Sequence, residues 1–158
     1  MYIDKQNLFS DAQAVTADAV GTNVIDLSVD RSIGNGEPMG VVFCVDVAAD
    51  QTTGDEDYTF DVEYASDAAQ TTGRQLIGRR VFESGTPTAP AQDADLLVAG
   101  YRFVIPIPAT KLTESEAFLG IRYDVAGTSP TITVTAFLAP LSMIQVAENT
   151  YADGITIS

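Results

Sequence analysis

The sequence predicts an all-β protein, an eight-stranded antiparallel jelly-roll sandwich with short irregular N- and C-terminal segments. Three observations predict it. Phe118–Leu138 alternates apolar and polar residues on both sides of the break at Ala126–Pro130, the pattern of two half-buried strands joined by a tight connection. Eight such candidates recur along the chain with turn signals between them. No long stretch carries the 3.6-residue period of a helix. An immunoglobulin-like sandwich is the alternative, but its Cys…Trp…Cys core is missing because the chain has no Trp.

The first two candidates are short, Ala12–Ala17 and Asn23–Val29, the second with Ile25, Leu27 and Val29 on one face. Asn35-Gly36 follows as a turn signal. Val41–Ala48 places Val41, Phe43, Val45 and Val47 together. Tyr58–Ala65 alternates most cleanly, with Tyr58, Phe60, Val62 and Tyr64 inward and Thr59, Asp61, Glu63 and Ala65 outward. Arg74–Phe82 is noisier, interrupted by Gly78 and the pair Arg79-Arg80. A Pro/Ala/Asp-rich link, Thr86–Asp95, leads to Val98–Ile107, which aligns Ala99, Tyr101, Phe103, Ile105 and Ile107. Pro106 and Pro108 mark its end as an edge or exit, since proline donates nothing to a ladder. The seventh and eighth strands are the Phe118–Leu138 hairpin, and Ala91–Leu97 and Ala109–Ala117 have room for a turn or two of helix.

The length suits one domain, 1–158, with an N-terminal arm (1–11) and a C-terminal tail (140–158). A chain of this size buries roughly 68–70% of its unfolded surface, enough for a core without staples. Jelly-roll order makes Tyr58–Ala65, Arg74–Phe82 and Phe118–Val125 neighbours. Asp61 and Glu63 then face Arg122 on one side and Arg79 or Arg80 on the other, as a solvated structural charge ladder.

Composition restricts the chemistry. Without His the chain lacks the usual base near neutral pH and the commonest metal ligand. One Cys allows no internal disulfide, and Cys44, in the strand-like run Val41–Val47, reads as a small buried hydrophobe. Asp55-Glu56-Asp57 lacks the spacing of a calcium loop and reads as a solvated acidic loop. Asp61 and Glu63 are a carboxylate pair in form, but the Tyr and Phe rings that a glycosidase platform needs are taken up by core periodicity. No phosphate-binding loop or nucleophile elbow is present. The chain is therefore expected not to be an enzyme and to use no cofactor or metal.

The formal charge of −14 disfavours contact with nucleic acid and with anionic membrane surfaces. The opening segment MYIDKQNLFSDAQ has no signal-peptide core, and no apolar stretch has membrane-spanning length, so folding in a reducing cytoplasm is expected.

MYIDKQNLFSDAQAVTADAVGTNVIDL, the segment from Leu76 to Arg79, AGYRFVIPIP and FLGIRYDVAGTSPTITVTAFLAPL together resemble a family of jelly-roll cement (decoration) proteins on the capsids of short-tailed bacteriophages. The resemblance implies a structural virion protein, made in the host cytoplasm. Such a protein sits on the outer capsid, often as a homodimer, and binds the major capsid protein lattice so that the shell resists the pressure of packaged DNA. It carries over no partner-contact residues.

The chain ends are the candidates for that contact: Tyr2, Ile3, Leu8 and Phe9 at one, Met143, Ile144, Tyr151, Ile155 and Ile157 at the other. These residues exceed what a solvated terminus needs. The alternative, that they cap the sandwich, stays open. A carbohydrate-binding jelly roll on a virion surface is the rival function, weakened by the missing Trp.

Overall fold

The computed structural model describes residues 5–27, 37–88, 90–108 and 117–144. Ten strands form two sheets: β1 (Leu8–Val15), β2 (Ala19–Val20), β3 (Ile25–Asp26), β4 (Met39–Val47), β5 (Asp57–Ala65), β6 (Gln75–Glu83), β7 (Gln92–Asp93), β8 (Arg102–Ile107), β9 (Phe118–Ala126) and β10 (Ile132–Pro140). One sheet runs β1-β10-β4-β8; the other runs β2-β9-β5-β6-β7, with β3 also paired to β9. This is the jelly-roll order, with ten strands rather than the eight expected. The difference has two sources. The second strand, expected at Asn23–Val29, is two short pieces, β2 ahead of that range and β3 within it, and the link before β8 adds β7, which pairs parallel to the end of β6.

Between the two pieces the chain first stays against β9 and then leaves it. Between β2 and β3, Gly21 donates its N–H to Ile121 O at 3.0 Å, and a Cβ there would lie 2.7 Å from Ile121 Cγ1. The chain then bends to β1, where Asn23 N–H meets Phe9 O at 2.9 Å. Sequence periodicity is blind to a two-residue strand. The first strand is also longer than expected, starting at Leu8 rather than Ala12. Register shifts after Leu8 and after Ser10 break its alternation, and Ala12 takes φ 45°. Residues 8–11 are therefore sheet, not arm.

Alternation elsewhere placed the core well. Tyr58, Phe60, Val62 and Tyr64 of β5, Ile132, Val134, Ala136 and Leu138 of β10, and Phe103, Ile105 and Ile107 of β8 are all buried together. Val47, expected inward, is 58% exposed because it outlasts its neighbour: β4 pairs with β8 only from Met39 to Cys44. The centre is aromatic. Phe60 meets Phe43, Phe82, Phe103 and Tyr123 at 5.0–5.8 Å, and Phe43 stacks on Phe103 at 5.0 Å. The Tyr123 hydroxyl, buried here, donates to Ser10 Oγ at 2.9 Å, which answers its polar tip; burial pushes its pKa up.

The helical turn expected at Ala91–Leu97 is a short 3-10 turn, Ala94–Leu96, and most of Ala109–Ala117 lies outside the described residues, as do Val29 and Asn35-Gly36.

Candidate functional site

The outward face of the six-stranded sheet carries the charged residues singled out from the sequence. Register puts Asp61 of β5 between Arg79 of β6 and Arg122 of β9. Arg79 binds Asp61 in a two-point grip, Nε to Oδ1 at 2.7 Å and Nη2 to Oδ2 at 2.6 Å. Glu63, opposite Gly120, takes Arg74 Nε at 2.9 Å and Nη2 at 2.8 Å. Arg122 reaches diagonally to Glu63 Oε1 at 3.3 Å and donates to Gln70 O at 3.0 Å. Hydrogen bonds to Glu63 and Asp61 outweigh desolvation and raise the pKa values of Arg74 and Arg79.

Two expectations need correction. The face is not simply solvated: Asp61 and Glu63 are each 1% exposed, because arginine side chains and the 66–73 loop lie over them. Arg80 is not part of the ladder either. It pairs in register with core-facing Phe60, and its guanidinium meets Gln92 Oε1 at 2.8 Å. A period of two sends adjacent Arg79 and Arg80 to opposite faces.

Sequence reasoning missed Arg74 and Gln70. Gln70 is fully buried at φ 54°. With its amide oriented by hydrogen bonding, its oxygen accepts from Gly120 N at 3.0 Å and its nitrogen donates to Ile121 O at 3.2 Å. A Cβ at Gly120 would sit 1.1 Å from that amide, so glycine is what lets the loop plug the strand. Asp67 holds the loop, accepting Thr71 N at 3.0 Å, Thr72 N at 2.8 Å and the Thr71 hydroxyl at 2.7 Å. The spacing Asp67-x-x-x-Thr71-Thr72 is the signal that was available.

The Thr71 hydroxyl and Thr72 N–H together lower the Asp67 pKa to about 2. Its folded pKa lies below the unfolded value of about 3.9. The stability it contributes is therefore complete above that value and disappears as pH falls through about 2. The thermal-midpoint deficit of Asp67→Ala is expected to be constant near neutrality and to close over that window; a deficit independent of pH would contradict the assignment.

The acidic loop is also more built than expected. Glu56 is fully buried and accepts the N–H groups of Thr53, Gly54 and Asp55 at 3.0, 2.9 and 3.2 Å, and the Thr53 hydroxyl, which leads the lowering of its pKa. Asp55 ties this loop to the β9–β10 turn through Thr128 N at 3.1 Å and Thr128 Oγ1 at 3.0 Å. These carboxylates are spent on their own loop and on the turn beside it. Among the described residues no group of three or more Cys, Asp or Glu is arranged to hold a metal ion.

Cys44 is partly exposed rather than a core residue. It lies on the outward side of the four-stranded sheet with Val42, Phe137, Ala139, Leu8, Val104 and Ile144. Burial is the leading influence on its thiol and raises the pKa. Of the chain-end candidates, Phe9 is fully buried in the main core, so it is not an open contact; its strand turns it inward. Leu8 and Ile144 pack in the smaller outer cluster, and Met143 is 64% exposed. Tyr2, Ile3, Tyr151, Ile155 and Ile157 lie outside the described residues. The structure thus brings Leu8 and Ile144, one from each end, into one outer cluster, and sends Phe9 to the opposite side of the sheet.

A Bbp16 family model matches residues 9–139. The chain belongs to the Bbp16 family. The name is phage-related, and the match runs from β1 to Ala139 near the end of β10, so it covers both sheets of the Bbp16 sandwich. No curated protein matches the chain.

Proposed function

We propose that this Bbp16-family chain is a capsid cement protein, a non-enzymatic subunit that binds the outer surface of the major capsid protein lattice of a tailed phage and stabilises the shell. Made in the host cytoplasm, it takes its place on the virion exterior as a homodimer. The observation that carries this reading is the extent of the family match: it spans the framework from Phe9 to Ala139 and is not confined to a catalytic or ligand motif. The framework segments that resemble cement proteins lie within or beside that span.

The sheet edges support contact through faces and loops. Edge strand β1 is broken by register shifts, edge strand β8 contains Pro106, and β2, β3 and β7 have two residues each. Such edges offer little template for strand addition, which leaves β6, covered by β7 only at Phe82 and Glu83, as the long open edge among the described residues. Net charge of −14 fits a surface outside the shell rather than one against packaged DNA, and disfavours anionic membranes. Among the described residues no Tyr or Phe is exposed, which leaves a glycan without an aromatic platform there.

The purified protein is expected to co-sediment with capsids stripped of it and to raise their disruption temperature. Absence of both effects would overturn the proposal, and specific retention on a glycan array in their place would favour the carbohydrate reading.

A further inference from the structure

We infer that the outward face of β6 around Arg74, Leu76 and Arg79 is a docking surface, and that its occupant is a carboxylate-bearing segment of the shell subunit centred on an apolar side chain. The inference rests on the shell-binding reading above and names where that contact is made.

The chain has only eight basic residues against twenty-two acidic ones. Two of the eight, Arg74 and Arg79, flank Leu76 on one sheet face, with side chains 42% and 49% exposed. Leu76 between them is 54% exposed, although its cross-strand partner Glu63 is buried. A large apolar side chain left in water between two half-exposed guanidiniums has the composition of an interface centre.

The geometry beneath explains why the arginines are ready to bind. Asp61 and Glu63 hold each guanidinium along its Nε edge. Each guanidinium carries five N–H donors, so this grip fixes the group and leaves further donors on its exposed part. A side chain already ordered loses less freedom on association. The acceptor such donors take is a carboxylate, in two-point geometry.

Two other surface features offer less. Glu56 turns its carboxylate onto its own loop, and Asp55 spends its own on Thr53 and on Thr128 of the β9–β10 turn. Val42, Phe137 and Ala139 of the outer apolar cluster are already buried, at 3%, 6% and 2% exposure. On a chain of charge −14 most of the surface repels a carboxylate, whereas on this face Arg74, Arg79 and Arg122 balance Asp61, Glu63 and Asp124, so seating it here is favoured.

The test compares full-length wild type with Leu76→Asp, Leu76→Lys and the double variant Arg79→Gln/Asp61→Asn. The double variant replaces the ion pair by an amide pair that can still hydrogen-bond. Thermal midpoint and oligomeric state are measured first, then co-sedimentation with stripped capsids. Wild type is expected to bind. Leu76→Asp and the double variant are expected to keep the wild-type oligomeric state and bind at least about tenfold more weakly, with Leu76→Lys weakened less than Leu76→Asp.

Wild-type binding with unchanged affinity in all variants would overturn the surface while leaving the shell reading intact. A larger loss for Leu76→Lys than for Leu76→Asp would identify a basic occupant, and dissociation of the oligomer with shell binding unaffected would identify a second copy; either overturns the assignment. If wild type itself fails to bind, the shell reading falls and this inference with it.

Discussion

Replacing Phe60 with alanine is expected to lower the unfolding free energy by about 3–5 kcal/mol, the range for removing a large buried aromatic side chain. Phe60 is 1% exposed and joins the two sheets at their centre: it lies edge-on to Phe43 and Phe103 from the four-stranded sheet and to Phe82 and Tyr123 from its own. Truncation removes the shared partner of four rings, and rings anchored on β-strands cannot close the space without shifting backbone. Against a typical domain stability of roughly 5–15 kcal/mol, the loss is large. Urea unfolding measures it, and a change below about 1 kcal/mol would mean that these rings do not form one packed core.

Gly120→Ala is expected to cost about 2–4 kcal/mol, combining overpacking with loss of buried hydrogen bonds. The added methyl meets the Gln70 amide at 1.1 Å. If Gln70 is pushed out, Gly120 N–H loses its side-chain acceptor, Ile121 O is left with Gly21 N–H alone, and the loop that supplies Gln70 O to Arg122 moves with it. The mechanism has its own signature. On a Gln70→Ala background, where the obstruction is gone, Gly120→Ala is expected to cost much less than in wild type. Additive costs in this double-mutant cycle would contradict the plug.

The parts of this molecule that were legible in the sequence are those where a strand is long and one face is dry. In β5 and β10 a strict period of two identified the core, and the acidic residues on the other face of β5 pointed to the arginines of the adjoining strands. Legibility failed where tertiary contacts override the period. The shifts in β1 hid Leu8–Ser10 as sheet and Phe9 as core. The two-residue strands β2, β3 and β7 are set by what they lie beside.

The candidate site was half legible for the same reason. Asp61, Arg79 and Arg122 follow from alternation and strand order. Glu63's second partner, Arg74, sits one residue before the start of β6, and Gln70 reaches the site through a loop fold that no periodicity describes. The burial of Asp61 and Glu63 follows from that loop and from the arginine stems, so an outward position did not mean a wet one.

The central claim, that this Bbp16-family sandwich is a cement subunit on the outside of a phage shell, is tested most directly by a density map of the virion compared with one from a phage lacking the gene. The expected result is a two-sheet sandwich on the outer surface of the capsid lattice, present in the first map and missing from the second. Identical capsid exteriors in the two maps, or the sandwich located in the tail or inside the shell, would contradict it.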